Sequence, residues 1–73
     1  MKTVYKYIGF TKEKGLCNID DIWRCKNKKG VTLGFVAYVE KWEEWEFQPE
    51  SYMGFTIECL RDIAHFIGQL NNS

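Results

Sequence analysis

One helical segment, at the C-terminal end of the chain, constrains the fold more than any other feature of the sequence. Residues 56–70 carry apolar side chains three and four positions apart, the spacing of one helix face. The stripe comprises Ile57, Leu60, Ile63, Ala64 and Ile67, widened by Cys59, Phe66 and Leu70. Thr56 is suited to cap the first turn, and Glu58 to its positive dipole end. Because one helix covers one face of a sheet, the other face must stay uncovered.

Four segments before the helix have the composition and alternation of β-strands: residues 3–10, 19–26, 31–39 and 45–48. Residues 11–18 are predicted to be a loop, Gly30 closes a hairpin turn, residues 40–44 form a second turn, and Pro49 ends the last strand. We therefore predict an α+β fold in which a three- to four-stranded antiparallel meander has one C-terminal helix packed on one face. Residues 1–73 form a single ββββα domain.

Alternation along the strands assigns the side chains to the two faces of this sheet. The helix-covered face is predicted to hold Trp23, Cys25, Val31, Leu33, Phe35, Ala37, Val39, Trp45 and Phe47. The uncovered face is then expected to hold some of Tyr5, Tyr7, Ile22, Arg24, Thr32, Val36 and Tyr38, with Trp42 at its edge. That face is too apolar for open water and too polar for a second core, which makes it the main functional clue.

Aromatic residues are abundant for so short a chain. They make up 16% of it, and each ring offers about 150–250 Å² of buriable area. One small core does not easily absorb them all, and exposed aromatic rings indicate a partner or a second copy of the chain. The candidate partner- or ligand-binding residues are Tyr5, Tyr7, Arg24, Lys26, Tyr38 and Trp42.

Charge is balanced over the whole chain but unevenly distributed. Residues 1–30 hold eight Lys and Arg against three Asp and Glu, a net +5, whereas residues 31–73 hold two against seven, a net −5. The two halves can pack so that the charges interleave on one surface. Alternatively, the basic half meets an anion or supports a polar assembly of copies.

The sequence offers little catalytic chemistry. Its only histidine, His65, lies on the polar side of the predicted helix, and Cys59 lies on the apolar stripe. Cys17 is expected to be exposed, without a base at recognisable spacing. The acidic residues Glu40, Glu43, Glu44 and Glu46 lack the Asp, Asn and Gly offsets of a metal-binding loop. We expect no enzymatic activity, no cofactor and no metal.

The cysteine spacing and the hydropathy of the chain indicate the cellular compartment. Three cysteines at wide spacing do not form a disulfide framework. The first ten residues alternate polar and apolar, which is not typical of a signal peptide, and no apolar run is long enough to cross a membrane. We expect a soluble protein of the cytoplasm.

The second half of the chain contains a distinctive spacing of aromatic and apolar residues. It comprises Leu33-Gly34, Trp42, Trp45, Phe47, Pro49, Phe55, Cys59-Leu60, Ile63, Phe66 and Leu70-Asn71. Residues 31–72 thereby resemble small proteins of unknown function from bacteriophage genomes, although Glu43 stands where that group often has Arg. The resemblance implies a protein of the host cytoplasm that acts by stoichiometric binding, either blocking a host protein or sequestering a nucleotide signal of a defence system.

Three kinds of partner are consistent with these features. A host protein, possibly of a defence system, could bind the uncovered face or the aromatic turn at residues 42–45. A homo-oligomer could capture a small anionic ligand such as a nucleotide. Single-stranded nucleic acid could stack on exposed aromatic rings, but it is the weaker alternative because the net charge is zero.

Overall fold

The computed structural model describes residues 1–14, 21–51 and 53–72, and within them it shows four strands followed by a helix. The strands are β1 (Ile8–Glu13), β2 (Ile22–Asn27), β3 (Thr32–Val39) and β4 (Glu44–Pro49), and helix α1 is Ile57–Asn71. The sheet is antiparallel throughout, in the order β1-β2-β3-β4. The predicted α+β meander with one C-terminal helix is confirmed.

The first strand begins later than predicted. The backbone N–H of Tyr5 donates to the carbonyl of Ile8 at 2.8 Å, and that of Phe10 donates to the carbonyl of Thr3 at 2.8 Å. Residues 3–10 therefore contain a tight reversal, and β1 extends to Glu13 through part of the predicted loop. Residues 15–18 of that loop, including Cys17, and residues 19–20 of the predicted second strand lie outside the described residues.

The core lies between the sheet and α1. Its buried side chains are Tyr5, Ile8, Phe10, Cys25, Val36, Ile63 and Phe66. Phe66 is its centre, because its ring stacks on Phe10 with centroids 3.9 Å apart and meets Trp23 edge-on at 5.1 Å. Aromatic rings in contact contribute beyond the apolar area they bury.

From Gly34 to Val39, the faces of β3 are the reverse of the prediction. Trp23 pairs with Val36 and Cys25 pairs with Gly34; since residues directly opposite share a face, Val36 lies under the helix and is fully buried. Phe35, Ala37 and Val39 lie on the uncovered face instead. A bulge in the β2–β3 pairing between Cys25 and Lys26 leaves Leu33 unpaired and packed against the core. The assignments for β2 and β4 are confirmed.

Helix α1 begins as predicted but buries a narrower stripe. The Thr56 hydroxyl accepts a hydrogen bond from the N–H of Cys59 at 3.2 Å, which is a regular N-cap. The helix turns Ile63 and Phe66 into the core, with Cys59, Ile67 and Leu70 half-buried. Ile57, Leu60 and Ala64, which were predicted to be covered, are exposed. The apolar stripe is wider than one helix can bury against this sheet.

Two contacts fix the C-terminal end of α1 in place. The side-chain carbonyl of Asn71 accepts the backbone N–H of Trp45 on the edge strand at 2.8 Å. The Gln69 amide exchanges two hydrogen bonds with the backbone of Lys2, at 2.7 and 2.8 Å. Because Pro49 lacks an N–H and that of Trp45 is occupied, the β4 edge offers few donors for pairing with another strand. In the described part of the chain, no helix is long and apolar enough to span a membrane.

Candidate functional site: an aromatic cleft

A cleft of about 650 Å³ opens on the helix side of the sheet, beside the last turns of α1. Its walls are the rings of Trp23, Tyr38 and Trp45, and we call it the aromatic cleft. The lining is completed by Met1, Lys12, Asp21, Gln69 and Leu70. A site of this volume, with aromatic walls and a few polar groups, is typical of small-molecule binding.

Strand register brings the three rings together. Lys12 on β1 pairs with Trp23 on β2, and Tyr38 on β3 pairs with Trp45 on β4. Trp23 pairs with Val36, which is two residues before Tyr38 and therefore on the same face. The four strands thus place their cleft residues on one face of the sheet, near the ends of the strands where β1 is followed by β2 and β3 by β4.

Ring contacts fix the orientation of the walls. Tyr38 and Trp45 meet edge-to-face, with centroids 5.7 Å apart and an interplanar angle of 69°. Trp23 leans edge-on against the buried ring of Phe66. Tyr38 is 39% exposed, so its ring also faces the solvent. The cleft is therefore built on the core and open on its outer side.

The polar groups of the cleft are mostly hydrogen-bond donors. Lys12 Nζ lies 3.2 Å from Asp21 Oδ2, and both side chains are exposed to solvent. Among the described residues, no hydrogen bond occupies the indole N–H of Trp23 or Trp45 or the hydroxyl of Tyr38. The Lys12 ammonium group carries three N–H donors, and its one contact with Asp21 leaves the others available to a ligand. The arrangement favours a ligand that carries acceptors.

The structure separates the six residues that the sequence proposed as a binding surface. Tyr38 lies in the aromatic cleft, on the helix side of the sheet and not on the uncovered face. Trp42 is 63% exposed in the turn between β3 and β4. Tyr7 is 45% exposed in the N-terminal reversal. Arg24 and Lys26 lie on the uncovered face, at positions of β2 that alternate with Trp23 and Cys25.

Tyr5 is the clearest correction, because it is a core residue and not part of an exposed face. Its ring packs edge-on against Phe10, and its hydroxyl lies 2.8 Å from Nδ1 of His65. Burial, followed by the charge of Asp62, raises the pKa of the Tyr5 hydroxyl. His65 is exposed, as predicted, but it also helps to hold the N-terminal segment against the helix.

The uncovered face is more apolar than predicted, and part of it is already covered by its own side chains. It carries Ile22, Phe35, Ala37 and Val39, all half-buried. Arg24 forms a bidentate ion pair with Glu13, with N–O distances of 2.8 and 3.0 Å, and its guanidinium lies 5.7 Å from the centroid of Phe35. Arg24 is thus engaged within the chain.

The two cysteines and the acidic residues that the structure describes show no reactive arrangement. Cys25 is fully buried, and burial, followed by the nearby Cys59 thiol, raises its pKa to about 12. The thiol therefore stays protonated at neutral pH, and only the thiolate is a strong nucleophile. Within the described ranges, no three His, Cys, Asp or Glu side chains lie close enough to hold a metal ion.

Sequence reasoning missed most of the cleft, namely Lys12, Asp21, Trp23, Trp45 and Gln69 as site residues. Trp23 and Trp45 were assigned correctly to the sheet face under the helix. No local sequence pattern shows that the helix leaves these two rings partly uncovered. Comparisons with protein-family models, with curated proteins and with solved structures find no match.

Proposed function

We propose that the chain is a small binding protein whose aromatic cleft holds a planar ligand that carries hydrogen-bond acceptors or negative charge, a nucleotide being the class that fits best. The observation that carries the proposal is the cleft itself: three aromatic walls around about 650 Å³, whose indole N–H groups donate no hydrogen bond within the described chain. Small-molecule sites span about 300–1,000 Å³.

Stacking would supply most of the affinity. A nucleobase is planar, and base–aromatic stacking contributes about 1–3 kcal/mol per base. Tyr38 and Trp45 lie nearly perpendicular to each other, so a base can stack on one ring while its edge meets the other. The indole N–H groups can then donate to the acceptors on the base or on a phosphate.

Electrostatic attraction would contribute less to the affinity than stacking does. Lys12 contributes a positively charged side chain to the cleft, and Asp21 already neutralises part of its charge. Because both groups are exposed, a phosphate near Lys12 gains on the order of 1 kcal/mol or less. Lys12 therefore contributes to selection of an anionic ligand more than to total affinity.

The proposed mode of action is stoichiometric binding of the ligand. A protein that binds a ligand without changing it acts in proportion to its own concentration. The resemblance of residues 31–72 to small phage proteins supports a role in sequestering a nucleotide signal in the host cytoplasm, where such a signal would serve a defence system.

Replacing Tyr38 by serine is expected to weaken nucleotide binding about 5- to 160-fold, in line with the loss of about 1–3 kcal/mol from one stacking ring. The measurement is isothermal titration calorimetry with mononucleotides and cyclic dinucleotides. Tyr7→Ser is the matched control, since Tyr7 is a comparably exposed tyrosine outside the cleft. Lys12→Gln should weaken binding of the nucleotide but not of the corresponding nucleoside.

Two results would count against the proposal. One is the absence of binding, and of any rise in melting temperature, at millimolar nucleotide, because a ligand that binds the folded state must stabilise it. The other is equal weakening by Tyr7→Ser and Tyr38→Ser, which would place the ligand elsewhere.

A second candidate function, binding of a host protein, is favoured by Trp42. Its ring is 63% exposed, and exposed Trp residues are enriched among interface anchors. Lys41 Nζ lies 5.3 Å from the ring centroid. The same turn carries Glu40 and Glu43, which favour a partner with a basic surface.

Under this second candidate, Trp42→Ala is expected to reduce partner affinity by about 2 kcal/mol or more, roughly 30-fold, without affecting the fold. The measurement is a pull-down from host extract with wild type, Trp42→Ala and Tyr38→Ser as baits. A partner retained by Tyr38→Ser but lost with Trp42→Ala would identify the turn as the interface. A partner captured equally by all three would exclude it.

A further inference from the structure

A carboxylate lies among the donors of the aromatic cleft. Asp21 is the one acidic residue among the described side chains that line it, and its side chain is 45% exposed. The Lys12 ammonium lies 3.2 Å from one of its two oxygens, Oδ2. Because an ionised carboxylate has about four lone-pair sites, this contact leaves Asp21 able to accept from a ligand. The Gln69 amide differs, since it already exchanges two hydrogen bonds with the backbone of Lys2.

Strand register places Asp21 next to a ring on which a base can stack. Trp23 pairs with Val36 across β2 and β3. Continuing this register by two residues along each strand aligns Asp21 with Tyr38, and Tyr38 in turn pairs with Trp45 on β4. Neighbouring strands lie about 4.8 Å apart. A planar group on the Tyr38 ring therefore has the carboxylate toward one edge and the Trp45 ring toward the other.

We propose that Asp21 makes the cleft selective for guanine, a role that rests on the proposed binding of nucleotides. The Watson–Crick edge of guanine carries two adjacent donors, N1–H and the N2 amino group, which match the two oxygens of a carboxylate. Adenine and cytosine each present one amino donor beside a ring nitrogen that is an acceptor, so a lone pair would face the negative charge. Uracil presents a single N–H donor between two carbonyl oxygens.

The other groups of the cleft suit the rest of a guanine nucleotide. O6 and N7 of guanine are acceptors, and the indole N–H groups of Trp23 and Trp45 donate no hydrogen bond within the described chain. Lys12 is 58% exposed and its side chain is flexible. It can therefore leave Asp21 and approach a phosphate while the carboxylate binds the base. Guanine thus uses both the donors and the carboxylate of the cleft.

Isothermal titration calorimetry of the full chain with the monophosphates of guanosine, inosine and adenosine tests this selectivity. Inosine keeps N1–H but lacks the N2 amino group, so we expect its nucleotide to bind about 2- to 12-fold more weakly than that of guanosine, the effect of one hydrogen bond. The adenosine nucleotide should bind at least about 10-fold more weakly, because it also turns an acceptor toward the carboxylate.

Asp21→Asn should lower the ratio of guanosine to adenosine nucleotide affinity about 10-fold or more, because an amide offers one donor and one acceptor, as adenine requires. Loss of the negative charge acts on all three nucleotides alike, so the ratio isolates recognition of the base. Glu50→Gln is the matched control, since it converts an exposed carboxylate outside the cleft into an amide, and it should leave the ratio unchanged.

The outcomes separate base selectivity from nucleotide binding itself. Equal affinity for the three nucleotides, or a preference for that of adenosine, together with weakening by Tyr38→Ser, would overturn the role of Asp21 but not nucleotide binding in the cleft. A guanine preference that Asp21→Asn leaves unchanged would overturn that role equally. Binding of none of the three would overturn nucleotide binding and the selectivity with it. Circular dichroism of each variant checks that the fold is intact.

Discussion

Replacing Phe66 by alanine is expected to lower the free energy of unfolding by about 3–5 kcal/mol, the usual effect of truncating a buried Phe. Phe66 is fully buried, stacks on Phe10 and supports Trp23. Domains have about 0.05–0.15 kcal/mol of stability per residue, roughly 4–11 kcal/mol for this chain. A large share of the variant should therefore be unfolded at 37 °C.

Urea denaturation followed by circular dichroism measures this loss. Trp42→Ala is the matched control, because it removes an even larger ring from an exposed position and should change stability by no more than about 0.5 kcal/mol. Equal and small effects of the two variants would show that Phe66 is not the centre of the core. Because Trp23 leans on Phe66, residual folded Phe66→Ala should also bind nucleotide less well.

Replacing Gly34 by alanine is also expected to lower the free energy of unfolding substantially, in this case because the added methyl group is crowded. A Cβ at position 34 would lie 2.6 Å from the backbone carbonyl oxygen of Gln48 and 2.7 Å from Cζ of Phe47. The backbone contact cannot be relieved by rotating a side chain, so β3 and β4 must move apart. Overpacking of this kind costs about 1–3 kcal/mol and occasionally more.

The control for crowding is another glycine. Nothing lies within 4 Å of a Cβ built at Gly54, so Gly54→Ala should be neutral or should stabilise the fold by up to about 1 kcal/mol through the unfolded state. The melting temperatures of the two variants should therefore shift in opposite directions or differ widely. Coinciding melting curves would show that β3 and β4 are not packed closely at Gly34.

Local pattern predicted the elements of this fold well, because each depends on short-range chemistry. The helix with its Thr56 cap, the turn at Gly30 and the strand ending at Pro49 are all readable from neighbours in sequence. Local pattern did not predict which face of β3 lies under the helix, because both faces of this strand contain apolar residues. What decides the orientation is its register with β2 and the close approach of Phe47 over Gly34, both long-range features.

The candidate site was harder to predict for the same reason. Trp23 and Trp45 are 22 positions apart, and only the strand pairings bring them into one cleft with Tyr38. The sequence indicated a surplus of aromatic rings, and that surplus is what lines the cleft. It could not indicate that Tyr5 turns inward, because the reversal at residues 5–8 depends on backbone hydrogen bonds with no strong sequence signal.

The most direct test of nucleotide binding in the aromatic cleft is a ¹⁵N–¹H correlation spectrum that follows the three tryptophan indole N–H signals during titration with nucleotide. Trp23 and Trp45 lie in the cleft and Trp42 does not, so each spectrum carries its own control. We expect the Trp23 and Trp45 signals to shift together and saturate while the Trp42 signal stays in place. No shift at millimolar nucleotide, or a shift of Trp42 alone, would contradict the assignment of the cleft as the binding site.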